Sequence, residues 1–101
     1  MLSIPYMAGF YEGEGCIDRT STNGFRITIV STDFDVLEKV QDTFGGTINL
    51  MKQYKSHHKP CWRWRLGSRK EVSNLLSQML PYLGQRRAYD ALNALDIIDK
   101  V

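Results

Sequence analysis

The chain has 101 residues, 43% of them hydrophobic, which is enough for one core but not for two, so residues 1–101 are expected to form a single domain. Its 13 basic and 11 acidic residues give a formal charge of +2, which permits an anionic partner without requiring one. Cys16 and Cys61 are the only cysteines and form no CxxC pair, so neither a disulfide scaffold nor a structural zinc site is expected.

No apolar run approaches the roughly 20 residues that span a bilayer, and the first residues lack the basic segment of a secretory leader. We therefore expect a soluble intracellular protein without a membrane partner. A bacterial or phage-encoded protein of the cytoplasm and a protein of an organelle both fit this expectation.

The first predicted helix is short and apolar. Ser3 is placed to cap it, and glycines end it by position 15. Period-two alternation then predicts paired strands over residues 16–21 and 25–31. The dipeptide Asn23-Gly24 between them is typical of a two-residue hairpin turn.

A second helix is predicted after Asp33, with an amphipathic pattern that ends at Gly45-Gly46. Alternation returns over residues 47–54 and again over 61–66, which predicts a second pair of strands.

The last part of the chain is predicted to be helical. Ser68 and Glu71 have the spacing of a capping box, and the helix they begin should end near Leu80, just before a proline. Residues 85–100 carry apolar side chains at helical intervals. The element order αββαββα(α) predicts an α+β fold with a four-stranded antiparallel sheet.

Each predicted strand has one apolar and one polar face, and helices can cover only the apolar side. The polar side would present Asp18, Thr20, Arg26, Thr28, Asn49, Gln53, Arg63 and Arg65. These types of side chain hydrogen-bond to base edges in the DNA major groove, which admits a β-ribbon. Antiparallel sheets also expose polar residues to water without any ligand. The basic row of Arg63 and Arg65 favours a DNA-binding surface over a merely solvated one.

Residues 7–15, MAGFYEGEG, combine small residues with an acidic helix end. Glycines one helical turn apart allow two helix backbones to approach closely. Met7, Gly9, Phe10 and Gly13 are therefore expected to line an interface between two copies of the chain.

Two glutamates, Glu12 and Glu14, lie at the C-terminal end of this helix, where the helix dipole disfavours negative charge. A divalent cation would compensate them, since carboxylates and backbone carbonyls are ligands that Mg²⁺ prefers. The alternative is that both glutamates are simply solvated beside a turn.

The same nine residues resemble the LAGLIDADG motif of homing endonucleases. They are identical to it at Ala8, Gly9 and Gly15, with Glu in place of Asp at Glu12 and Glu14. The predicted element order, the helix ending in FGG and the late PYL segment followed by basic residues extend the resemblance over nearly the whole chain. A single motif copy resembles the homodimeric branch, in which each saddle-shaped half reads half of a long, nearly palindromic DNA site.

The resemblance implies roles for individual residues. Glu14 matches the metal-binding acid, with the carbonyl of Gly13 as a further ligand, whereas Glu12 matches an acid of mainly structural role. Ser31 falls where many members carry a water-positioning Gln, and Arg86 falls where they carry a Lys near the scissile phosphate. Glu at position 14 is one methylene longer than Asp, and Ser31 reaches less far than Gln, which leaves cleavage open to question.

The expected function is therefore site-specific cleavage of double-stranded DNA by a homodimer, through phosphodiester hydrolysis that depends on Mg²⁺ or another divalent cation such as Mn²⁺. One alternative is a non-cleaving DNA-binding protein or intron-splicing cofactor (maturase) of the same fold. Another is an unrelated α+β interaction domain in which residues 7–15 form an ordinary core helix and turn.

Overall fold

A computed structural model of the protein describes residues 2–20, 24–51 and 60–99. These residues form, in chain order, α1 (Ile4–Glu14), β1 (Gly15–Arg19), β2 (Phe25–Ser31), α2 (Phe34–Phe44), β3 (Thr47–Leu50), β4 (Trp62–Leu66), α3 (Arg69–Met79) and α4 (Gln85–Asp99). A short 3-10 helix, Leu80–Tyr82, joins α3 to α4. The predicted α+β class and the predicted order of elements are confirmed.

The helices begin where the sequence predicts. Ser3 caps α1, and its Oγ accepts a hydrogen bond of 3.2 Å from the Tyr6 N–H. Asp33 and Ser68 precede α2 and α3, but neither side chain makes a capping hydrogen bond. The residues of the capping box expected at Ser68 are therefore present, but the Ser68 side chain makes no capping hydrogen bond. The Ser68 carbonyl accepts the Val72 N–H at 2.8 Å, which is a backbone hydrogen bond of the first helical turn.

Two glycines end α2 and let β3 approach the sheet core. Gly45 and Gly46 have φ values of 83° and 92°, a region that residues with a side chain rarely adopt. The Trp64 indole N–H donates to the Gly45 carbonyl at 2.7 Å. A Cβ on Gly46 would lie only 2.6 Å from that indole nitrogen, so the double glycine allows a tight turn over a buried tryptophan.

The four strands form one antiparallel sheet in the order β1-β2-β4-β3. Residues paired across the strands share a face, and the pairs Ile17–Ile27, Ile29–Trp64 and Ile48–Trp64 make one face apolar. The helices cover this face, and the core between the two layers contains Met7, Ala8, Tyr11, Ile27, Ile29, Leu37, Val40, Trp64, Leu66, Val72, Leu75, Leu76 and Met79. None of the helices in the described ranges is long and apolar enough to cross a bilayer.

The register of β1 and β2 does not fit the predicted two-residue turn at Asn23-Gly24, of which residue 23 lies outside the described residues. β1 and β2 pair with Arg19 opposite Phe25, so residues 20–24 all lie between the paired positions. A turn of two residues at positions 23 and 24 would instead pair Asp18 with Ile29 and bring a carboxylate to the apolar face. The alternation of buried and exposed side chains thus overrides the local turn preference of the dipeptide.

The predicted strands are also longer than the observed ones. β1 ends at Arg19 instead of position 21, and β4 begins at Trp62 instead of position 61. β3 ends at Leu50, and the rest of the predicted strand over residues 47–54 lies mostly outside the described residues.

Candidate functional site

The polar face of the sheet is formed by the residues that the sequence alternation predicts. Strand pairing puts Asp18 opposite Arg26, Thr28 opposite Arg65, and Asn49 opposite Arg63, so these six side chains share the face away from the helices. Thr20 continues the alternation just beyond β1, where its N–H donates to the Gly24 carbonyl at 3.0 Å. Gln53 lies outside the described residues.

Three further residues also lie on this face. Cys16 pairs with Thr28, Val30 with Arg63, and Thr47 with Arg65. Their alternation with the predicted residues was visible in the sequence. Cys16 and Val30 do not have the side-chain chemistry of base readers, which is why a search by residue type passes over them.

Thr28 contributes little accessible surface to the polar face. Its relative exposure is 7%, and its hydroxyl donates to the Asp18 carboxylate at 3.5 Å. Thr28 is therefore placed to orient Asp18 rather than to contact a ligand itself, which corrects the expectation that it is an exposed reading residue.

The arginines of the polar face have donors that nothing in the described part of the chain accepts. The Nε atoms of Arg26, Arg63 and Arg65 are buried there without a hydrogen-bond partner. A buried donor without an acceptor destabilises the isolated protein. The three guanidinium groups also make this sheet face basic, which suits an anionic partner.

Helix α1 has one face in the core and one in solvent. Met7, Ala8 and Tyr11 are fully buried, whereas Gly9 and Gly13 are exposed. A Cβ on either glycine would meet nothing within 4 Å. Met7 was expected at an intersubunit interface, but it has no exposed surface in the subunit, because its side chain packs in the core.

Tyr6, and not Met7, is the large side chain exposed on the outer side of α1. It lies one helical turn before Gly9 and is 52% exposed. Phe10 is half-buried and packs partly against the core. The exposed strip of α1 is thus Tyr6, Gly9, Phe10 and Gly13, and it carries no charged group.

The two glutamates at the end of α1 have different surroundings. Glu12 Oε1 accepts the Gly84 backbone N–H at 2.6 Å, and its Oε2 lies 3.8 Å from the Arg87 Nε. Glu12 therefore ties the end of α1 to the start of α4. Glu14 is the last residue of α1, is exposed, and makes no hydrogen bond or ion pair with any residue that the structure describes.

Glu14 and Ser31 line the same surface cleft, together with Phe10, Asp33 and Cys61. The Ser31 hydroxyl accepts the Asp33 N–H at 3.0 Å, which fixes the turn between β2 and α2. Since Ser31 pairs with Trp62, it belongs to the helix-covered side of the sheet and reaches the cleft only at the strand end. The structure thus brings together two of the three residues to which the resemblance gives catalytic roles.

The two arginines at the start of α4 also differ. The Arg87 side chain is only 16% exposed and its guanidinium carbon lies 5.3 Å from the centre of the Tyr11 ring. Arg86 is exposed, and the ion pair that Glu12 makes in the described structure is with Arg87 instead. Arg87 therefore supports the α1–α4 junction, and Arg86 is the arginine that remains accessible to a ligand.

Burial also shapes the titration of two side chains near this junction. Burial raises the pKa of Tyr11 to about 12, with a smaller opposing effect of the Arg87 charge. Desolvation and the neighbouring Asp18 carboxylate raise the pKa of the Cys16 thiol. Both groups are consequently protonated at neutral pH, and Cys16 is not an activated nucleophile.

The described residues of this chain do not form a complete cation site by themselves. The residues described include no group of three His, Cys, Asp or Glu side chains that could hold a metal ion. Glu14 nevertheless offers a free carboxylate. The Tyr11 carbonyl accepts the Gly15 N–H at the end of α1, so the Gly13 carbonyl lies beyond the last helical acceptor. These oxygen donors fit a hard divalent cation, and further ligands would have to come from outside this chain.

Comparison with known proteins identifies relatives of this fold. A family model described as a LAGLIDADG-like domain matches residues 3–79. No curated protein sequence gives a significant match.

Solved structures similar to the chain include three homing endonucleases. The structure of I-CvuI in complex with its target in the presence of Ca has a TM-score of 0.73 at 24% identity, covering 96% of this chain and 66% of that one. I-TnaI has a TM-score of 0.71 at 20% identity, with coverage of 97% and 72%. I-SmaMI bound to cleaved DNA has a TM-score of 0.71 at 18% identity, with coverage of 98% and 36%.

These similarities establish the fold, which is that of LAGLIDADG homing endonucleases. The chain spans about two thirds of the length of I-CvuI and about one third of I-SmaMI.

Proposed function

We propose that this chain, which belongs to the LAGLIDADG-like domain family, is one subunit of a homodimeric endonuclease that cleaves a long, nearly palindromic site in double-stranded DNA. The observation that carries the proposal is the exposed, unpaired Glu14 at the end of an uncharged strip of α1. A carboxylate in this place is disfavoured by the helix dipole unless a cation compensates it.

The uncharged strip of α1 supports a dimer. Gly9 and Gly13 leave open space where a second helix backbone could approach, and Tyr6 offers an exposed aromatic ring beside them. Packing two copies of α1 along this strip would bring two Glu14 side chains together. Two acids could then serve the two strands of a DNA duplex.

The polar face of the sheet is the proposed DNA-binding surface. Asp18, Thr20, Arg26, Asn49, Arg63 and Arg65 offer donors and acceptors for base edges, with Gln53 as a further expected contact. The similar I-CvuI structure contains its target and the I-SmaMI structure contains cleaved DNA, which supports DNA as the partner of this fold. The three arginines of this face offer charge-assisted hydrogen bonds to phosphate or guanine acceptors.

Cleavage would be hydrolysis of a phosphodiester bond. Glu14 and the Gly13 carbonyl would hold Mg²⁺, or another divalent cation such as Mn²⁺. When bound, the cation supplies Lewis-acid stabilisation of the charge that develops on the phosphate. Arg86 would add a positive charge beside the same phosphate, and Ser31 would hydrogen-bond a water molecule in the cleft that it shares with Glu14.

A non-cleaving DNA-binding protein or intron-splicing cofactor of the same fold is the second candidate. It is favoured by Ser31, whose short side chain lies on the helix-covered side of the sheet and already accepts the Asp33 N–H. Incubation of a selected target with the protein and Mg²⁺ separates the two candidates. Nicked or cut DNA supports the enzyme, whereas tight binding without any strand break supports the binding protein.

The experiment that tests DNA binding removes charge from the polar face. We expect Arg63→Ala with Arg65→Ala to weaken binding to a selected target. A lost base contact should weaken it by about 1–3 kcal/mol, and each lost phosphate contact should lower the salt slope by about one. The matched control is Arg69→Ala with Lys70→Ala, which removes the same charge from exposed residues of α3 in the helical layer. Equal effects of the two double variants would show that net charge, and not the polar face, drives binding.

A further inference from the structure

The polar face carries a single acid among the strand residues that the structure describes. Asp18 shares this face with Arg26, Arg63 and Arg65. A carboxylate on a surface that meets DNA is repelled by phosphates, and it becomes favourable only where a donor meets it. On a DNA-binding surface, Asp18 would therefore need a specific hydrogen-bond donor on the ligand.

The Asp18 carboxylate is oriented by its own sheet. Thr28 Oγ1 donates to Oδ2 at 3.5 Å, and the Cys16 Sγ lies 4.0 Å from both carboxylate oxygens. Thr28 is almost fully buried, so its hydroxyl has few other acceptors. Two neighbours on one face thus hold the carboxylate, which remains exposed to solvent on its outer side.

Arg26 lies directly opposite Asp18 in the strand pairing, yet the two side chains form no ion pair in the described structure. The Arg26 Nε also has no acceptor there. Side chains that face each other across antiparallel strands have Cβ atoms about 5 Å apart. A carboxylate acceptor and a planar guanidinium donor are therefore adjacent on this face without forming an ion pair.

We propose that Asp18 and Arg26 together read one G·C base pair in the major groove, with Arg26 on the guanine and Asp18 on the cytosine. Guanine presents O6 and N7 as a pair of acceptors for a guanidinium, and cytosine presents its N4 amino group as a donor to a carboxylate. The O6 and N4 groups are hydrogen-bonded to each other within the base pair and are therefore adjacent. Two side chains that face each other across the strands can contact both groups at once.

The other base pairs fit less well. An A·T pair offers a guanidinium no pair of acceptors on one base that matches O6 and N7, and the thymine methyl group would meet the carboxylate. The reversed C·G pair would bring the cytosine amino group to Arg26 and the guanine acceptors to Asp18, which pairs donor with donor and acceptor with acceptor. The two side chains thus select both the base pair and its orientation.

This inference rests on the proposed DNA binding. One selection experiment gives different outcomes for a failure of the reading pair and for a failure of DNA binding. The probe is a randomised double-stranded DNA pool from which the wild type, Asp18→Asn and Arg26→Ala each select bound sequences. The wild type should select a G·C pair at one position of each half-site. We expect Arg26→Ala to lose about tenfold or more of the G·C preference at that position. Asp18→Asn should relax the same preference towards T·A, because an amide can pair with the edge of an adenine that replaces the cytosine.

Asp42→Asn, on the exposed surface of α2, is the matched control for loss of one negative charge and should leave every preference unchanged. Asp18→Asn keeps an acceptor for Thr28, so thermal unfolding should confirm that the variant is folded. The proposal that Asp18 and Arg26 read one base pair would be overturned if Asp18→Asn selected the same sequences as the wild type. It would also be overturned if the two substitutions affected different base pairs. Neither outcome would contradict DNA binding. A wild type that enriches no sequence would overturn the proposed function itself.

Discussion

The two faces of α1 show how differently one short helix can use its sides. The inner face, with Met7, Ala8 and Tyr11, is fully buried against its own subunit. On the outer face, a Cβ added to Gly9 or Gly13 would meet nothing within 4 Å in the described structure. Both faces are largely apolar, so hydrophobicity alone does not distinguish them. What separates them is the pair of glycines, which leaves part of the outer backbone bare.

The acids at the end of the helix repeat this contrast. Glu12 has its hydrogen bond and ion pair inside the subunit, at Gly84 and Arg87, whereas Glu14 has neither. Groups that satisfy each other within the fold stabilise it, and a charged group left unsatisfied marks a place for a ligand. We therefore expect changes on the outer side to affect function and changes on the inner side to affect stability.

The largest effect is expected from Glu14→Gln, which keeps the side-chain shape but removes the charge. Cleavage of a selected target in Mg²⁺ should fall by at least about a hundredfold, because bound metal ions contribute several kcal/mol to such reactions. Thermal unfolding should not change, since Glu14 makes no hydrogen bond or ion pair within the described part of the chain.

DNA binding by Glu14→Gln, measured in Ca²⁺, should weaken only modestly because the sheet contacts remain. Glu38→Gln, at an exposed position of α2, is the control for the same chemical change. Cleavage at the wild-type rate by Glu14→Gln would disprove the assignment of Glu14 as the metal-binding acid.

The next largest effect is expected from Gly9→Leu on self-association. The subunit has open space for the new side chain, and a helix interior favours leucine over glycine, so the fold should be retained or slightly stabilised. A second α1 could no longer approach closely. The dimer dissociation constant measured by sedimentation should therefore rise at least tenfold. Gly9→Ala should have a smaller effect in the same direction. A wild type that is monomeric at micromolar concentration would contradict the dimer.

A smaller effect, on stability, is expected from Glu12→Gln. The amide oxygen can still accept the Gly84 N–H, but the ion pair with Arg87 is lost. Glu12 is 38% exposed, so solvent screening limits the loss to about 1 kcal/mol. Glu12→Ala should cost more, since it also leaves the Gly84 N–H without its acceptor.

Urea unfolding at neutral pH measures both Glu12 variants. If Glu12→Gln abolished cleavage and left the free energy of unfolding unchanged, the two glutamates would have the reverse of the roles assigned here.

The sequence predicted the sheet faces well because alternation depends only on side-chain chemistry. Asp18, Arg26, Asn49 and Arg63 share the polar face as the alternation predicts, although the register that pairs them was not predicted. The hairpin turn failed for the same reason, since the local preference of Asn23-Gly24 is weaker than the burial of Ile27 and its neighbours. Patterns that extend over a whole strand are therefore better predictors than a dipeptide.

The residues around α1 were harder to predict. An apolar helix with little amphipathic pattern does not reveal which face is buried, and Met7 was assigned to the wrong one. Likewise, sequence cannot tell that Arg87 stacks over Tyr11 and that Arg86 is exposed, because adjacent residues on a helix point in different directions and only packing decides between them. These assignments require the position of α4 relative to α1.

The smallest effect is expected from Tyr11→Phe, on the inner face. The Tyr11 hydroxyl is buried without a hydrogen-bond partner in the described structure, so its removal at neutral pH should leave stability unchanged or raise it by up to about 1 kcal/mol. The fold raises the pKa of Tyr11 from 10.0 to about 12, so the protonated phenol is favoured in the folded state. The contribution of the protonated phenol to stability is complete below pH 10 and is lost as the pH rises from 10 towards 12.

Urea unfolding at pH 7 and pH 11 should show that the free energy of unfolding falls less at high pH for Tyr11→Phe than for the wild type. Tyr89→Phe, at a tyrosine that is 67% exposed, should show no such difference. A loss of more than about 1 kcal/mol for Tyr11→Phe at pH 7 would mean that the hydroxyl is satisfied after all, with the nearby Arg87 as its partner.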